Sequence, residues 1–453
     1  MNAASLRPWL AGAAPLADVR EGEAHFAADL ARPGGAEAFL LRTFPTEGLR
    51  RLLGDVQRRI VGGGGPPVVG LRGGFGGGKT HTLLALLHHC RGQGATVAVL
   101  AGTDLSPARP WPCAALDGRA VRTLWGELAA QLGGPAGYAR VELEDGSGLP
   151  PGAAVLADLL DAYGPCVVLA DELVPFIRPL YGSGAFEAHL TFLHNLTEAA
   201  RRSRASIVVA TIPQSEAEMG GVGGREAAER LAATLGRLEA DWRPAGPDEA
   251  SAIVRRRLFG PVEPDAATCR AFAEMYAQGG AAFPAECRFA AYLGRLRACY
   301  PVHPDLFDRL WAWAGVEGFQ GTRGVLRVLG AAVRALWARV DPAPLLLPGG
   351  LPLDAEGVGA RFTAVLGAGW DAVLRGEVDG EQSAPAVLER EEPRFLRAGA
   401  ARRVARAVFL GAVPGARGGV ERARVHLGSA LPGEPVAVLD DALERLGEHL
   451  THW

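Results

Sequence analysis

The sequence predicts an α/β fold: a parallel β-sheet with flanking helices, followed by an all-helical lid (residues 247–341) and a mixed α/β C-terminal region (342–453). Three observations carry this expectation. Short runs rich in Val, Leu, Ile and Ala recur at 67–71, 95–101, 166–171, 206–211 and 238–242, with helical segments between them; continuous apolar runs of this length suit strands buried on both faces by crossover helices. A glycine-rich turn ends the first run and opens a helix. From Pro247 to about residue 341 the strand signal disappears and helical periodicity dominates.

In chain order, residues 1–60 form a helical preface with helices at 24–30 and 46–60, the latter opened by Thr46 as N-cap. The glycines at 62–65 mark the turn into the core at 61–246. Asp248 and Glu249 favour a helix start there, and further helices are expected at 266–277, 285–298, 304–314 and 322–339. A proline-rich stretch at 341–352 reads as a junction. Beyond it, a helix is expected at 358–375 and strands at 405–410 and 422–427.

The composition, 48% hydrophobic and 21% charged with a formal net charge of -3, is that of a globular protein and offers no global electrostatic attraction for nucleic acid. Six scattered cysteines lack any paired C-x-x-C spacing and are expected as buried, reduced thiols rather than a zinc site. The N-terminus lacks a signal-peptide core, and no run of about 18 apolar residues occurs, so a cytoplasmic chain without a membrane span is expected.

Lys79 is the single lysine among 47 lysines and arginines. It stands in Gly73-Gly74-Phe75-Gly76-Gly77-Gly78-Lys79-Thr80, a match to the Walker A pattern. In that pattern glycines let backbone N–H groups converge on phosphates, a compact ammonium reaches the β/γ-phosphates, and the threonine hydroxyl ligates Mg²⁺. The helix that follows adds the positive end of its dipole. His81 is grouped with the nucleotide-contacting residues by position, although neither it nor His88 or His89 has metal-ligand companions and none is given chemistry.

Hydrolysis needs a metal-positioning acid and a group that activates water. The run 166–171 ends in Asp171, expected on the metal, and Glu172, expected as general base. The next run ends at Thr211, first choice for a residue between the two motifs that orients water or senses the γ-phosphate, with Gln214 second. Arg237, just before the fifth strand, is placed to serve as an arginine finger toward a neighbouring subunit, with Arg225 and Arg230 behind it. Arg323, at the start of an amphipathic helix, is expected to lean onto the phosphates from the lid, with Arg327 as the alternative. His303 reads as a structural turn residue.

Taken in order, these pieces resemble a P-loop NTPase of the additional-strand (ASCE) class, the AAA+ ATPases. More narrowly the chain is similar to a bacterial family long catalogued as a domain of unknown function and related to the large ATPases of BREX phage-exclusion systems. The likeness is carried by Arg7-Pro8-Trp9, Asp18-Val19, the segment from Arg42 to Leu49, the loop from Gly74 to Leu83, Ala170-Asp171-Glu172, Arg255 to Phe259, Tyr300 to Pro304 and Phe319 to Arg327. It continues into Trp370 and residues 404–410. The resemblance implies ATP and Mg²⁺ as ligands, a homo-oligomer, and a role in antiviral defence beside a DNA methyltransferase or nuclease. Family members tend to be longer, so the resemblance also implies that the chain is either the N-terminal ATPase part of such a protein or a short version of one. Two other readings stand beside ATP hydrolysis: an ATP-gated scaffold with little turnover, and a DNA-stimulated motor.

Overall fold

A computed structural model describes residues 35–41, 43–72, 78–214, 216–235, 247–259, 262–339, 341–396, 399–414 and 419–449. Two compact units divide the chain, one spanning Ala24–Ala245 and the other taking in Gly246–Trp453. The expected helix at 24–30 and the expected strand at 238–242 lie outside the described residues.

Among the described residues the first unit is built on four parallel strands: β1 (Val68–Arg72), β2 (Thr96–Ala101), β3 (Cys166–Asp171) and β4 (Ser206–Ile212). Their order is β1-β4-β3-β2, so β4 is inserted between the strand that enters the glycine loop and the strand that ends in Asp171. In register, Leu71 lies opposite Thr211 and Ala170 opposite Ala210, which brings the C-terminal ends of β1, β4 and β3 side by side. A crevice outside the carboxyl ends of such strands is where open parallel sheets bind ligands.

Alternation along the strands explains why both faces are apolar. Val167 and Leu169 pack with Val69, Leu71, Ile207 and Val209 against helices α1 (Gly35–Leu41), α2 (Glu47–Ile60) and α3 (Lys79–Gly92). Val168 and Ala170 join Val208 and Ala210 on the other face, covered by α4 (Leu124–Tyr138), α5 (Ala153–Ala162), α6 (Gly184–Arg202) and α7 (Val222–Leu235). Thr46 caps α2 as expected, accepting the Leu49 N–H at 3.1 Å. Arg59, near the end of that helix, donates to the Ser206 carbonyl at 2.9 Å and the Ala200 carbonyl at 2.7 Å, tying α2 to the start of β4 and the end of α6.

The second unit is helical among its described residues. Its first half comprises α8 (Pro247–Phe259), α9 (Ala266–Gly279), α10 (Ala290–Cys299), α11 (Pro304–Ala314) and α12 (Gly321–Arg339). His303 is completely buried at the N-cap of α11, where Nδ1 accepts the Asp305 N–H at 3.2 Å and Nε2 meets the Tyr276 hydroxyl at 2.9 Å. Burial, followed by the charges of Arg309 and Arg295, pushes its pKa down to about 3. A neutral ring with Nε2 protonated satisfies both contacts, which is the structural role expected of it.

The proline-rich stretch does not separate two cores. Leu345, Leu346 and Leu347 are buried, and Leu346 exchanges backbone hydrogen bonds with Pro301 and His303 at 3.0 Å each. Trp313 of α11 donates to the Leu410 carbonyl at 2.9 Å and packs edge-on against Phe362 with ring centroids 5.0 Å apart. A single hydrophobic cluster runs from Val254 to Leu446.

Two expectations for this region are overturned. The strand expected at 405–410 lies within helix α15 (Ala400–Gly411), and the one expected at 422–427 lies within α16 (Arg422–Ser429); α13 (Gly359–Leu366) and α14 (Ala384–Glu391) precede them and α17 (Val436–His449) follows. Short apolar runs do not distinguish a buried strand from a buried helix. Residues 405–410 extend an alanine-rich helix that starts at Ala400, and α16 ends with Val425 to Ser429 all buried, so its alternation marks no solvent face. The helix expected at 358–375 is interrupted: it stops at Leu366, and helical structure resumes at Trp370. All six cysteines are buried and unpaired, as expected. No described helix is long and apolar enough to cross a membrane.

Candidate functional site

Where β1 ends, Gly73, Gly74, Phe75, Gly76 and Gly77 lie outside the described residues; Gly78, Lys79 and Thr80 are described. Gly78 is the N-cap of α3 with φ of 81°, a left-handed conformation that L side chains rarely adopt. The cap has no side-chain hydrogen bond, and the first turn carries no acidic residue. Backbone donors at such a helix start are suited to an anion.

Lys79 Nζ lies 2.6 Å from Glu218 Oε1, in a pair with side chains only 12% and 16% exposed. One residue on, the Thr80 hydroxyl donates to Asp171 Oδ2 at 2.6 Å, and from β4 the Thr211 hydroxyl donates to Asp171 Oδ1 at 2.7 Å. Thr211 also accepts the Glu172 backbone N–H at 3.1 Å. The inserted position of β4 is what places Thr211 there. Asp171 is 4% exposed. Burial pushes its carboxyl above the ordinary carboxylate range, opposed by the hydroxyls of Thr80 and Thr211 and by the charge of Lys79.

Glu172 is exposed and sits in the left-handed region at φ 48°, ψ 40°, turning the chain from β3 into a short helix, Leu173–Ile177. For a residue with a Cβ this costs about 1–2 kcal/mol. Gly102, after β2, makes room for the turn: its N–H donates to the Asp171 carbonyl at 2.9 Å, and a Cβ there would lie 2.3 Å from the Glu172 carbonyl oxygen. Gly102→Ala is therefore expected to displace Glu172 and to destabilise the first unit by about 1–3 kcal/mol. Thermal unfolding measures the second effect, and an unshifted midpoint would show that the turn relaxes freely.

The other expected residues are placed as follows. His81 Nε2 is 3.1 Å from Thr43 Oγ1, with its ring 4.6 Å from that of Phe39. The Gln214 backbone N–H donates to Glu218 Oε2 at 3.1 Å. Arg230 is engaged within the chain, pairing both Glu187 oxygens at 2.7 and 2.8 Å. Arg225 lies in the first turn of α7, and Arg237 lies outside the described residues. Arg323 opens α12 in the second unit, where Arg327 donates to Gln320 Oε1 at 2.7 Å. Arg255 donates to the backbone carbonyls of Ala298 and Val262 at 2.7 and 3.2 Å, a structural use of this side chain.

Sequence reasoning missed Glu218 and Gly102. Nothing local marks either: Glu218 meets Lys79 across 139 residues, and the neighbour of Gly102, Glu172, is likewise remote in sequence.

Fold and site together define a parallel α/β protein in which a Gly-Lys-Thr helix start and a strand-end Asp-Glu pair meet at the carboxyl end of one sheet. The family model of the DUF499 N-terminal domain matches residues 95–238, the segment that carries Asp171, Glu172, Thr211 and Glu218. No curated protein matches the chain. Among solved structures, an ORC2 protein of Aeropyrum pernix, described in ADPNP-ADP complexes, is similar at 16% identity, covering 69% of this chain and 68% of its own, with a TM-score of 0.29.

Proposed function

We propose that the chain binds ATP with Mg²⁺ and hydrolyses it. The observation that supports this best is the hydrogen-bonded row Thr80–Asp171–Thr211–Glu172 beside Lys79, because it gathers the groups that phosphoryl transfer to water requires at the end of one sheet.

Thr80 and Asp171 are the residues that would hold Mg²⁺. They fit it: their hydroxyl and carboxylate oxygens are 2.6 Å apart, both are hard ligands, and a cation would offset the cost of burying the carboxylate. Among the described residues no group of three or more His, Cys, Asp or Glu could hold a metal by itself. That suits an ion that keeps waters and phosphate oxygens in its shell. When bound, Mg²⁺ neutralises charge on the β- and γ-phosphates.

Lys79 supplies a point charge to the same oxygens. Glu172 takes a proton from water as the water oxygen bonds to the γ-phosphorus. The bond from that phosphorus to the β–γ bridging oxygen breaks, and ADP leaves. Thr211 positions this base by accepting its backbone N–H and steadies Asp171 by donating to it.

The finer assignments rest on the family resemblance and, for the two arginines, on their placement in the sequence. In that reading the protein works as a homo-oligomer in anti-phage defence, beside a DNA methyltransferase or nuclease, with Arg237 reaching a neighbour's γ-phosphate and Arg323 reporting nucleotide state to the helical unit. Titration of the purified chain with ATP, with and without Mg²⁺, followed by phosphate release, tests the central reading. Saturable, Mg²⁺-dependent binding with turnover is expected; no binding at millimolar ATP overturns it. Binding without turnover would favour the ATP-gated scaffold.

A further inference from the structure

Glu218 lies on the short helix Glu216–Met219 that follows β4, and its two carboxylate oxygens make two different contacts. Oε1 takes the Lys79 ammonium at 2.6 Å, and Oε2 accepts the Gln214 backbone N–H at 3.1 Å. It therefore ties the phosphate-binding lysine to the backbone just beyond Thr211. Its Lys79–Glu218 half is largely shielded from solvent, which protects that pair from the screening that makes exposed pairs weak.

A carboxylate shares with a phosphate group a planar or tetrahedral set of anionic oxygens that accept from an ammonium and from backbone N–H groups. The ammonium that Glu218 holds is the one the nucleotide's phosphates would require. We propose that Glu218 is a built-in stand-in for phosphate: it occupies Lys79 in the nucleotide-free protein, and nucleotide must displace it, releasing the segment after β4. This rests on the nucleotide-site reading above.

The path of the chain accommodates such a release. The segment starts at Pro213 and ends at Gly220 and Gly221, both at positive φ (67° and 102°), a pair of residues able to absorb a change of direction. Its C-terminal end is held by the Arg178 guanidinium, which donates to the Met219 carbonyl at 3.4 Å. Once phosphates occupy Lys79, the Glu218 carboxylate faces like charge and gives up its contact with the ammonium, so the short helix turns away and the Gln214 N–H opens. Phosphate occupancy is thereby converted into movement beside Thr211 and Glu172, the residues assigned to the attacking water.

The test is direct. Wild type, Glu218→Gln and Glu218→Ala are titrated with a fluorescent ATP analogue and Mg²⁺, and hydrogen exchange at the Gln214 amide is followed with and without nucleotide. Removing the competitor is expected to tighten nucleotide binding by about tenfold in both variants. The Gln214 amide is expected to be protected in nucleotide-free wild type, and to exchange faster both in the variants and on adding nucleotide. Unchanged or weaker binding in both variants overturns the proposal and leaves the pair a structural contact. If wild type and variants alike bind no nucleotide, the nucleotide-site reading itself falls; if all three bind with equal affinity, only the stand-in role does.

Discussion

Glu172→Gln is expected to bind Mg²⁺-ATP about as tightly as wild type and to release phosphate about 10²- to 10⁴-fold more slowly, the range associated with loss of a positioned general base. The substitution keeps the size of the side chain and the left-handed backbone at φ 48°, so the turn held by Gly102 and Thr211 stays in place. Asp171 keeps its hydrogen bonds from Thr80 and Thr211, so the oxygens proposed to hold Mg²⁺ are preserved. What disappears is a carboxylate able to take a proton from water. Single-turnover phosphate release, measured beside equilibrium binding, separates the two effects. Wild-type turnover in the variant would remove Glu172 from the mechanism and leave the site one that binds only.

Lys79→Ala is expected to weaken nucleotide binding by about 10- to 100-fold or more, the value of a charge-assisted contact in a shielded site. Lys79→Arg is not expected to rescue it, because a flat guanidinium cannot replace a compact ammonium at the end of a tight loop. Loss of Lys79 also leaves Glu218 as a shielded carboxylate without this cation. Some loss of thermal stability should therefore accompany the loss of binding, and Lys79→Ala with Glu218→Ala should recover stability without recovering affinity. Isothermal titration and thermal unfolding of the three variants distinguish these results. Wild-type affinity in Lys79→Ala would show that phosphate is held elsewhere.

Much of the first unit was legible along the chain. The strands β1 to β4 stand out because each is a short apolar run, and Thr46 announces its helix because an N-cap acts on the next three residues. Thr80 could be picked out by the Gly-Lys-Thr pattern at its helix start, and Asp171 and Thr211 because each is a polar residue at or near the end of an apolar strand. The helical half of the second unit followed from its periodicity. Its last part did not: 405–410 and 422–427 are apolar or alternating over too few residues for period to decide, and their burial depends on partners elsewhere in the fold.

Residue types and spacing in the sequence were enough to establish a parallel α/β core and to single out Lys79, Thr80, Asp171, Glu172 and Thr211, since these signals are local and chemically restrictive. The insertion of β4 between β1 and β3, the closeness of Gly102 to the Glu172 turn, and the pairing of Lys79 with Glu218 emerge only in three dimensions. Each is a contact between segments remote along the chain, decided by sheet order and shared burial, and no local pattern of residues encodes it.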